Sequence, residues 1–223
     1  MRRGLSRLRG ARQKYALYFD GVDDYVIVPL SGYYEVVIET FMKPILQPTD
    51  ERTFLFYFTN PSSLDIVYDP RYDPNVIRGY PKGSLSGTTL AIPYTLTEEW
   101  QYITMYWKWG GTDNKFKLWV NTTYIGEATS TTNIGTPVAY TEYKIAKSYD
   151  YPYKGYIAFI RIYNRALSDS EILHNYYNPD NPITNGLVLW LHWDSIDDVN
   201  GKWVDKSGYG NDGVIYGARK VFI

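Results

Sequence analysis

Cysteine is absent from the 223-residue sequence, and His174 and His192 are its only histidines. Without cysteine the chain can form no disulfide, no thiolate metal site and no cysteine nucleophile. Two histidines also leave little scope for imidazole-based zinc or triad chemistry. No apolar run approaches the roughly 18 residues needed to cross a bilayer, so we do not expect an integral membrane protein. These absences indicate a binding or structural protein rather than an enzyme.

Aromatic residues, in contrast, are abundant: 24 Tyr, 7 Trp and 8 Phe. Tyrosine and tryptophan suit pleated, half-buried surfaces, so this composition predicts a β-rich protein with many tyrosines in its sheets. An alternative interpretation is a tyrosine-lined recognition or assembly surface, because each ring combines an apolar body with a polar tip.

Positive charge is concentrated at the start of the sequence. Six of the 23 Lys and Arg residues precede the first acidic residue, so the rest of the chain carries 17 positive and 24 negative charges. These six are Arg2, Arg3, Arg7, Arg9, Arg12 and Lys14. We predict that residues 1–14 form a basic arm that contacts nucleic acid or an acidic neighbouring subunit. The alternative is a solvated tail.

The apolar stretch of about 7–15 residues that a secretory signal peptide requires does not follow these basic residues. The sequence therefore gives no support for secretion by that route. An exposed location is still expected from the coat-like organisation of a basic arm on a β-rich body, and we predict a virion or cell surface.

Short strand patterns separated by Gly, Pro and Asn turns follow from residue 15 onward. The clearest cover 15–19, 25–28, 34–39, 54–58, 100–107, 116–120, 155–163 and 186–193. This spacing predicts an all-β antiparallel sandwich or jelly roll. We expect a long loop over 69–83, which is rich in Pro, Gly and Asp, and another over 149–153.

One short helix is predicted near residues 169–177. Ser168 and Glu171 have the spacing of a capping box, in which serine is the N-cap and glutamate follows three residues later. Asn178 and Pro179 mark the end of the helix.

Three segments resemble a known family. They read YALYFDGVDDYV at 15–26, GYIAFIRIYNRALSDSEI at 155–172, and GLVLWL at 186–191 continued by DKSGYGNDG at 205–213. Together they are similar to laminin G-like domains of the concanavalin A-like lectin/glucanase superfamily. The resemblance implies a jelly roll formed by a single domain over residues 15–223. It says little about activity, because this fold serves lectins, adhesins, hydrolases and structural proteins.

The order of these segments departs from the family pattern, in which the segment like 186–213 usually precedes the segment like 15–26. The last strands, residues 186–218, could close the sandwich beside the first strand of the same chain, since sandwich termini often lie close together. Alternatively, they could complete a neighbouring subunit by strand exchange. We favour self-closure.

Asp20, Asp23 and Asp24 crowd one turn and are the candidate metal ligands. Calcium prefers six to eight oxygen ligands, often from several carboxylates, and the resemblance implies a calcium site at a rim of the fold. The alternative is that these side chains only stabilise the turn through hydrogen bonds to its backbone.

Glycan binding would require aromatic platforms beside hydrogen-bonding groups. The candidates are aromatic residues in predicted loops and near a hairpin tip. They are Tyr68, Tyr72, Tyr80, Trp107, Trp109, Tyr149, Tyr151 and Tyr153.

Catalytic carboxylates are hard to assign. Asp65 and Asp69 are spaced like a glycosidase pair, but Asp69 precedes a proline as turn residues do. Glu35 and Glu39 share one strand face, and we expect both to face water. We therefore predict that the protein is not an enzyme.

The functional prediction has two alternatives. The favoured one is a structural surface or virion component, such as a coat, turret, decoration or filament subunit that assembles with copies of itself or with other coat proteins. The composition would suit a heat-tolerant protein of this kind. The alternative is a carbohydrate-binding or adhesion module for host or matrix glycans.

Overall fold

The computed structural model describes residues 14–30, 33–46, 53–59, 64–72, 74–81, 89–133, 141–147 and 152–223, and only the backbone of 53–59, 64–65 and 80–81. Most of the predicted basic arm lies outside these ranges. None of the helices in the described ranges is long and apolar enough to span a membrane.

The described residues form sixteen strands and one helix. The strands are β1 (Tyr15–Asp20), β2 (Tyr25–Val28), β3 (Glu35–Pro44), β4 (Thr53–Thr59), β5 (Leu64–Asp69), β6 (Val76–Pro81), β7 (Leu90–Pro93), β8 (Gln101–Lys108), β9 (Asn114–Val120), β10 (Thr123–Ser130), β11 (Glu142–Ile145), β12 (Lys154–Tyr163), β13 (Leu187–Asp197), β14 (Lys202–Asp205), β15 (Gly213–Tyr216) and β16 (Arg219–Phe222). Helix α1 spans Asp169–Tyr177.

The strands form an antiparallel sandwich with the predicted jelly-roll architecture. Their order is β10-β9-β8-β3-β12-β13-β14-β15-β2-β11-β4-β5-β6-β7, and β1 and β16 are attached beside β12. Strand β7 at one end of this order lies against β10 at the other end. The order therefore folds back on itself into two packed layers.

The main hydrophobic core lies between the two layers. Alternate residues of β1, Leu17 and Phe19, point into it, and the two tryptophans Trp107 and Trp203 fill it from other strands. Each of these four side chains is at most 1% exposed. Strand alternation thus places one face of β1 in the core and leaves its other face, with Tyr18, outside.

Helix α1 forms where the sequence predicts it. The Ser168 hydroxyl accepts a hydrogen bond from the Glu171 N–H, and the Glu171 carboxylate accepts one from the Ser168 N–H, which completes the capping box. Ile172 and Tyr176 are buried against the outer face of the sheet that contains β3, β8 and β12. The helix therefore covers the middle of that face.

The predicted turn at 20–24 is present, but it does not form a hairpin. Strand β1 pairs with β12 and β16, whereas β2 pairs with β11 and β15. The turn therefore carries the chain from one layer of the sandwich to the other, at its rim.

The prediction of one long loop over 69–83 is wrong, because β5 and β6 form a hairpin there. Pro70 and Pro74 both lie in its connection, where no strand needs their missing N–H. A buried ion pair between Arg78 and Asp69 holds the two strands together at the turn end.

The C-terminal strands pair within the same chain. Strand β13 lies between β12 and β14, β15 pairs with β2, and β16 pairs with β1. In the single chain the last strands therefore close the sandwich beside the first strand of the same chain. The alternative, exchange of these strands between subunits, stays a prediction.

Candidate functional site

The three predicted metal ligands converge at the rim of the sandwich. One carboxylate oxygen from each of Asp20, Asp23 and Asp24 lies within 4.8 Å of the other two. Asp24 Oδ2 accepts the Asp20 N–H at 2.8 Å, and Asp20 Oδ1 accepts the Val22 N–H at 2.8 Å. The carboxylates thus stabilise the turn, as the alternative interpretation expects, and are also grouped as a cation would require.

The electrostatics of this acidic turn fit a hard cation. Burial raises the pKa of Asp24, and the negative charges of Asp20 and Asp23 raise it further, against the opposing effect of Arg219. A bound cation would relieve this repulsion. The donors are all oxygens, which calcium prefers, whereas zinc sites are built mostly from nitrogen and sulfur.

The acidic turn is closely packed on its inner side. Gly217 has a φ of +74°, and a Cβ at that position would collide with Asp24 Oδ1. Next to it, the rings of Tyr25 and Tyr216 stack with centroids 4.6 Å apart. Residues from both ends of the chain therefore fix the position of the carboxylates.

Four of the predicted glycan-binding aromatics are buried. Tyr68, Trp107, Trp109 and Tyr153 are at most 4% exposed, and Trp107 packs against Trp109 with ring centroids 6.2 Å apart. The prediction is wrong for these four, because a ring enclosed in the core offers no face to a sugar. Their aromatic character serves packing.

The remaining predicted aromatics keep their status as predictions. Tyr72 is 48% exposed, but the Arg78 guanidinium lies 5.2 Å from its ring centroid and donates to its hydroxyl at 3.2 Å. Tyr80 lies at the end of β6, at a position where only the backbone is described, and Tyr149 and Tyr151 lie outside the described residues.

Of the predicted basic arm, the structure describes Lys14 alone. Its carbonyl accepts the Ile223 N–H at 3.1 Å, and its Nζ lies 4.2 Å from the centroid of the Trp193 ring. Lys14 is therefore tied to the edge of the sheet. Arg2, Arg3, Arg7, Arg9 and Arg12 lie outside the described residues, so their contact with nucleic acid or an acidic neighbour stays a prediction.

A groove of about 340 Å³ opens on the outer face of the sheet, at the end that α1 does not cover. We call it the tyrosine groove. Its lining residues are Tyr18, Ile45, Tyr156, Arg219, Lys220 and Val221. The Tyr18 and Tyr156 rings are half-buried, with centroids 5.1 Å apart, and the Arg219 guanidinium lies 5.4 Å from the Tyr18 centroid.

Sequence reasoning missed the tyrosine groove. Alternation in β1 and β12 could have placed Tyr18 and Tyr156 on the outer face, opposite Leu17 and Ile157. Nothing local indicates that the two tyrosines are directly opposite each other, because that depends on the pairing of β1 with β12. Trp100 adds a third partly buried ring, 6.2 Å from Tyr156.

A buried polar cluster lies under α1, in the middle of the same face. Asn175 Nδ2 donates to both Glu39 oxygens at 3.1 and 3.2 Å, and Arg161 Nε lies 3.4 Å from Glu39 Oε2. Glu39 is 0% exposed, so the prediction that it faces water is wrong. Strand alternation correctly predicts that Glu39 lies on the outer face of β3. Helix α1 covers that face, so the side chain is buried.

Two of the carboxylates considered for glycoside cleavage, Glu39 and Asp69, are held in ion pairs. Burial raises the pKa of Glu39, although Arg161 opposes this effect. Asp69 is 0% exposed and pairs with Arg71 and Arg78, while the Asp65 side chain is not among the described groups. That the protein is not an enzyme stays a prediction.

Both histidines have structural partners. His192 Nδ1 lies 2.5 Å from Asp194 Oδ1, and burial lowers the pKa of His192 to about 4. The nearby Ser195 hydroxyl bonds to the His192 carbonyl and not to its ring, so the geometry is not that of a triad. His174 Nε2 lies 3.0 Å from the Asn181 carbonyl.

Comparisons with known proteins agree on the fold. A family model described as the concanavalin A-like lectin/glucanases superfamily matches residues 15–173. No curated protein matches the chain.

Several solved structures are similar. A Bacteroides ovatus protein whose name proposes carbohydrate binding superposes with a TM-score of 0.67 at 13% identity, over 95% of this chain and 60% of that one. The CBM40 of a Ruminococcus gnavus IT-sialidase, bound to α2,3-sialyllactose, gives 0.53 at 13% identity, over 73% and 97%. Tailspike protein 2 of an Escherichia coli O157:H7 bacteriophage gives 0.56 at 12% identity, over 86% and 32%. The chain thus spans only part of the first and third of these proteins, and identities this low show the fold alone.

Proposed function

The chain belongs to the concanavalin A-like lectin/glucanases superfamily, and from this premise we propose that it is a glycan-binding module whose platform is the tyrosine groove. The observation that carries the proposal is the pair of half-buried rings, Tyr18 and Tyr156, in a groove on the outer sheet face. Tyrosine rings pack against the apolar faces of sugars, and their hydroxyls can bond to sugar hydroxyls.

The surroundings of the groove support this proposal. Trp100 packs beside Tyr156, and the Trp100 ring in turn stacks on Phe41 with centroids 4.8 Å apart. This packing restricts the rings before any ligand arrives, which lowers the entropic cost of binding. Two structures with the same fold, from Bacteroides ovatus and Ruminococcus gnavus, carry carbohydrate-binding descriptions.

The acidic turn is included in the proposal as a calcium site. Asp20, Asp23 and Asp24 would hold the cation, and calcium would supply charge neutralisation at the rim. The turn follows β1 directly, so its position is linked to that of Tyr18. Calcium would therefore act on glycan binding by fixing the end of β1.

The test is a glycan array followed by titration calorimetry with a glycan that binds. Tyr18→Ala and Tyr156→Ala should each weaken binding by about tenfold, because each removes one stacking ring. Tyr209→Ala is the matched control, since Tyr209 is 68% exposed and lies outside the groove. Repeating the titration with EDTA, and with Asp23→Asn, measures the calcium contribution.

Retention of full affinity by both groove variants would place the glycan elsewhere and overturn the proposed site. If Tyr72→Ala lost affinity instead, the result would favour Tyr72, one of the aromatic residues predicted from the sequence, as the glycan-binding ring. No binding to any glycan, with or without calcium, would exclude the function itself.

A structural surface or virion component is the second candidate. It is favoured by the edge of the sheet at β16, which pairs with β1 and has no other partner strand in the described part of the chain. Phe222 on this strand is 67% exposed. An open edge with an exposed aromatic ring can accept a strand or a face from another subunit.

A further inference from the structure

Four directly opposed residues form a row that contains Arg219, Tyr18 and Tyr156 of the tyrosine groove and continues to Lys43 on the next strand. Arg219 of β16 is directly opposite Tyr18 of β1, Tyr18 is opposite Tyr156 of β12, and Tyr156 is opposite Lys43 of β3. Directly opposed residues of paired strands share one face of the sheet. The row therefore consists of a cation, two tyrosines and a second cation on the outer face.

The length of the row suits a short oligosaccharide. It crosses three strand-to-strand spacings of about 4.8 Å, so its two ends are roughly 14 Å apart at the backbone. Tyr18 and Tyr156 occupy its middle, and Arg219 and Lys43 occupy its ends. A chain of sugars lying across the rings would therefore reach both cations.

Neither end cation is neutralised by an ion pair with another described residue. Arg219 lies over the Tyr18 ring and interacts electrostatically with Asp24, without a hydrogen bond to it in the described structure. The Lys43 ammonium likewise has no carboxylate within ion-pair distance among the described residues. By contrast, the half-exposed cations Lys115 and Lys117 on β9 are paired with Asp113 and Glu127.

We propose that the tyrosine groove selects acidic oligosaccharides, whose anionic groups are bound by Arg219 at one end of the row and by Lys43 at the other. This inference rests on the proposed function and specifies its ligand class. Arg219 can bind a carboxylate or sulfate through two parallel hydrogen bonds, whereas Lys43 acts as a point charge. The tyrosines supply stacking, and the cations supply the choice between acidic and neutral sugars.

The experiment compares three probes of similar length by titration calorimetry: an oligogalacturonate, a heparin-derived oligosaccharide and a neutral galacto-oligosaccharide. The first two distinguish carboxylate from sulfate as the anionic group. We expect the wild-type chain to prefer an acidic probe, and its affinity to fall as salt is raised. Arg219→Gln and Lys43→Gln should each weaken binding of the acidic probe by about tenfold, and should weaken binding of the neutral probe much less.

Lys115→Gln is the matched control, because it removes a half-exposed cation from the same sheet, away from the groove. Thermal unfolding of every variant confirms that the fold is retained. Equal affinity for acidic and neutral probes, with loss of both in Tyr156→Ala, would overturn this inference and leave the proposed function intact. Acidic binding that persists in the Arg219→Gln/Lys43→Gln double variant would assign it to other cations and would also overturn the inference.

Discussion

Glu39 and Arg161 show how a single residue on a strand can change its role when another element covers it. Both side chains are 0% exposed, and Glu39 is held by Arg161 and Asn175. Burying two charges is costly, and their attraction together with the surrounding hydrogen bonds offsets that cost. The Arg161 guanidinium also donates to the Tyr102 hydroxyl at 3.1 Å.

Removing one partner of this pair should therefore be strongly destabilising. We expect Glu39→Ala to lower the free energy of unfolding by about 3–5 kcal/mol, because it leaves the Arg161 charge buried without a counterion. Urea unfolding followed by fluorescence measures the change. Glu127→Ala is the control: it breaks the surface pair with Lys117 and should cost at most about 1 kcal/mol. A similar effect for both variants would contradict the buried-pair account.

At the scale of elements, α1 combines a local signal with a tertiary role. Glu171 accepts the Ser168 N–H at 2.8 Å and binds Arg165 through two hydrogen bonds of 2.7 and 3.0 Å. The Arg165 guanidinium, followed by the Ser168 backbone, lowers the pKa of Glu171 from 4.5 to about 2. The carboxylate thus caps the helix and links it to the preceding loop.

This pKa shift predicts a pH-dependent contribution of the cap. The folded-state pKa lies below the unfolded value, so the stabilisation is complete above about pH 4.5 and is lost as the pH falls towards 2. We expect Glu171→Gln to be less stable than wild type by about 1 kcal/mol at pH 7. Urea unfolding across this pH range should show the difference shrinking below pH 4.5, and a difference that stays constant would refute the assigned cause.

At the scale of the whole molecule, the proposed structural role assigns self-assembly to the β16 edge and the predicted basic arm. The structural candidate predicts a discrete assembly of full-length protein at low salt. Moderate salt should dissociate it, because an arm of positive charges acts through screened electrostatic attraction. Light scattering measures the particle mass, and a 25.9 kDa monomer at both salt concentrations would argue against self-assembly.

The acidic turn also belongs to this scale, because it joins the two layers of the sandwich. Asp20 ends a strand of one layer, and Tyr25 begins a strand of the other. Gly217, near the end of the chain, packs against Asp24. Both ends of the sequence therefore contribute to the geometry of the candidate calcium site, although its ligands are adjacent in sequence.

The parts of the fold that could be predicted are those with local signals. The Ser168–Glu171 capping box and the Asn178-Pro179 stop predicted α1 at its observed position. The strand patterns at 100–107 and 116–120 are also present, as the paired strands β8 and β9. The 69–83 region was predicted wrongly, because its prolines suggested a loop although they occupy only the connection of a hairpin.

The candidate site was predicted only in part. The acidic turn could be predicted because its residues are neighbours in the sequence, and the tyrosine groove could not because its residues are far apart in the sequence. The three aspartates of the acidic turn lie within five residues, so their convergence follows from the turn itself. The tyrosine groove requires four strands from distant parts of the sequence to align in register. Composition showed that tyrosine is abundant, but it could not show which rings stay accessible.

The sequence by itself determined the all-β class, the helix at 169–177, the acidic turn and the family resemblance, because each depends on short-range patterns and local hydrogen bonds. Only the tertiary structure decided which aromatic residues are available for binding. Tyr68 and Trp107 became part of the core because their strand faces meet the opposite layer, whereas Tyr18 and Tyr156 remained accessible because α1 stops short of them. The physical reason is that burial depends on what packs against a face, which is set by strand pairing between segments far apart in the chain.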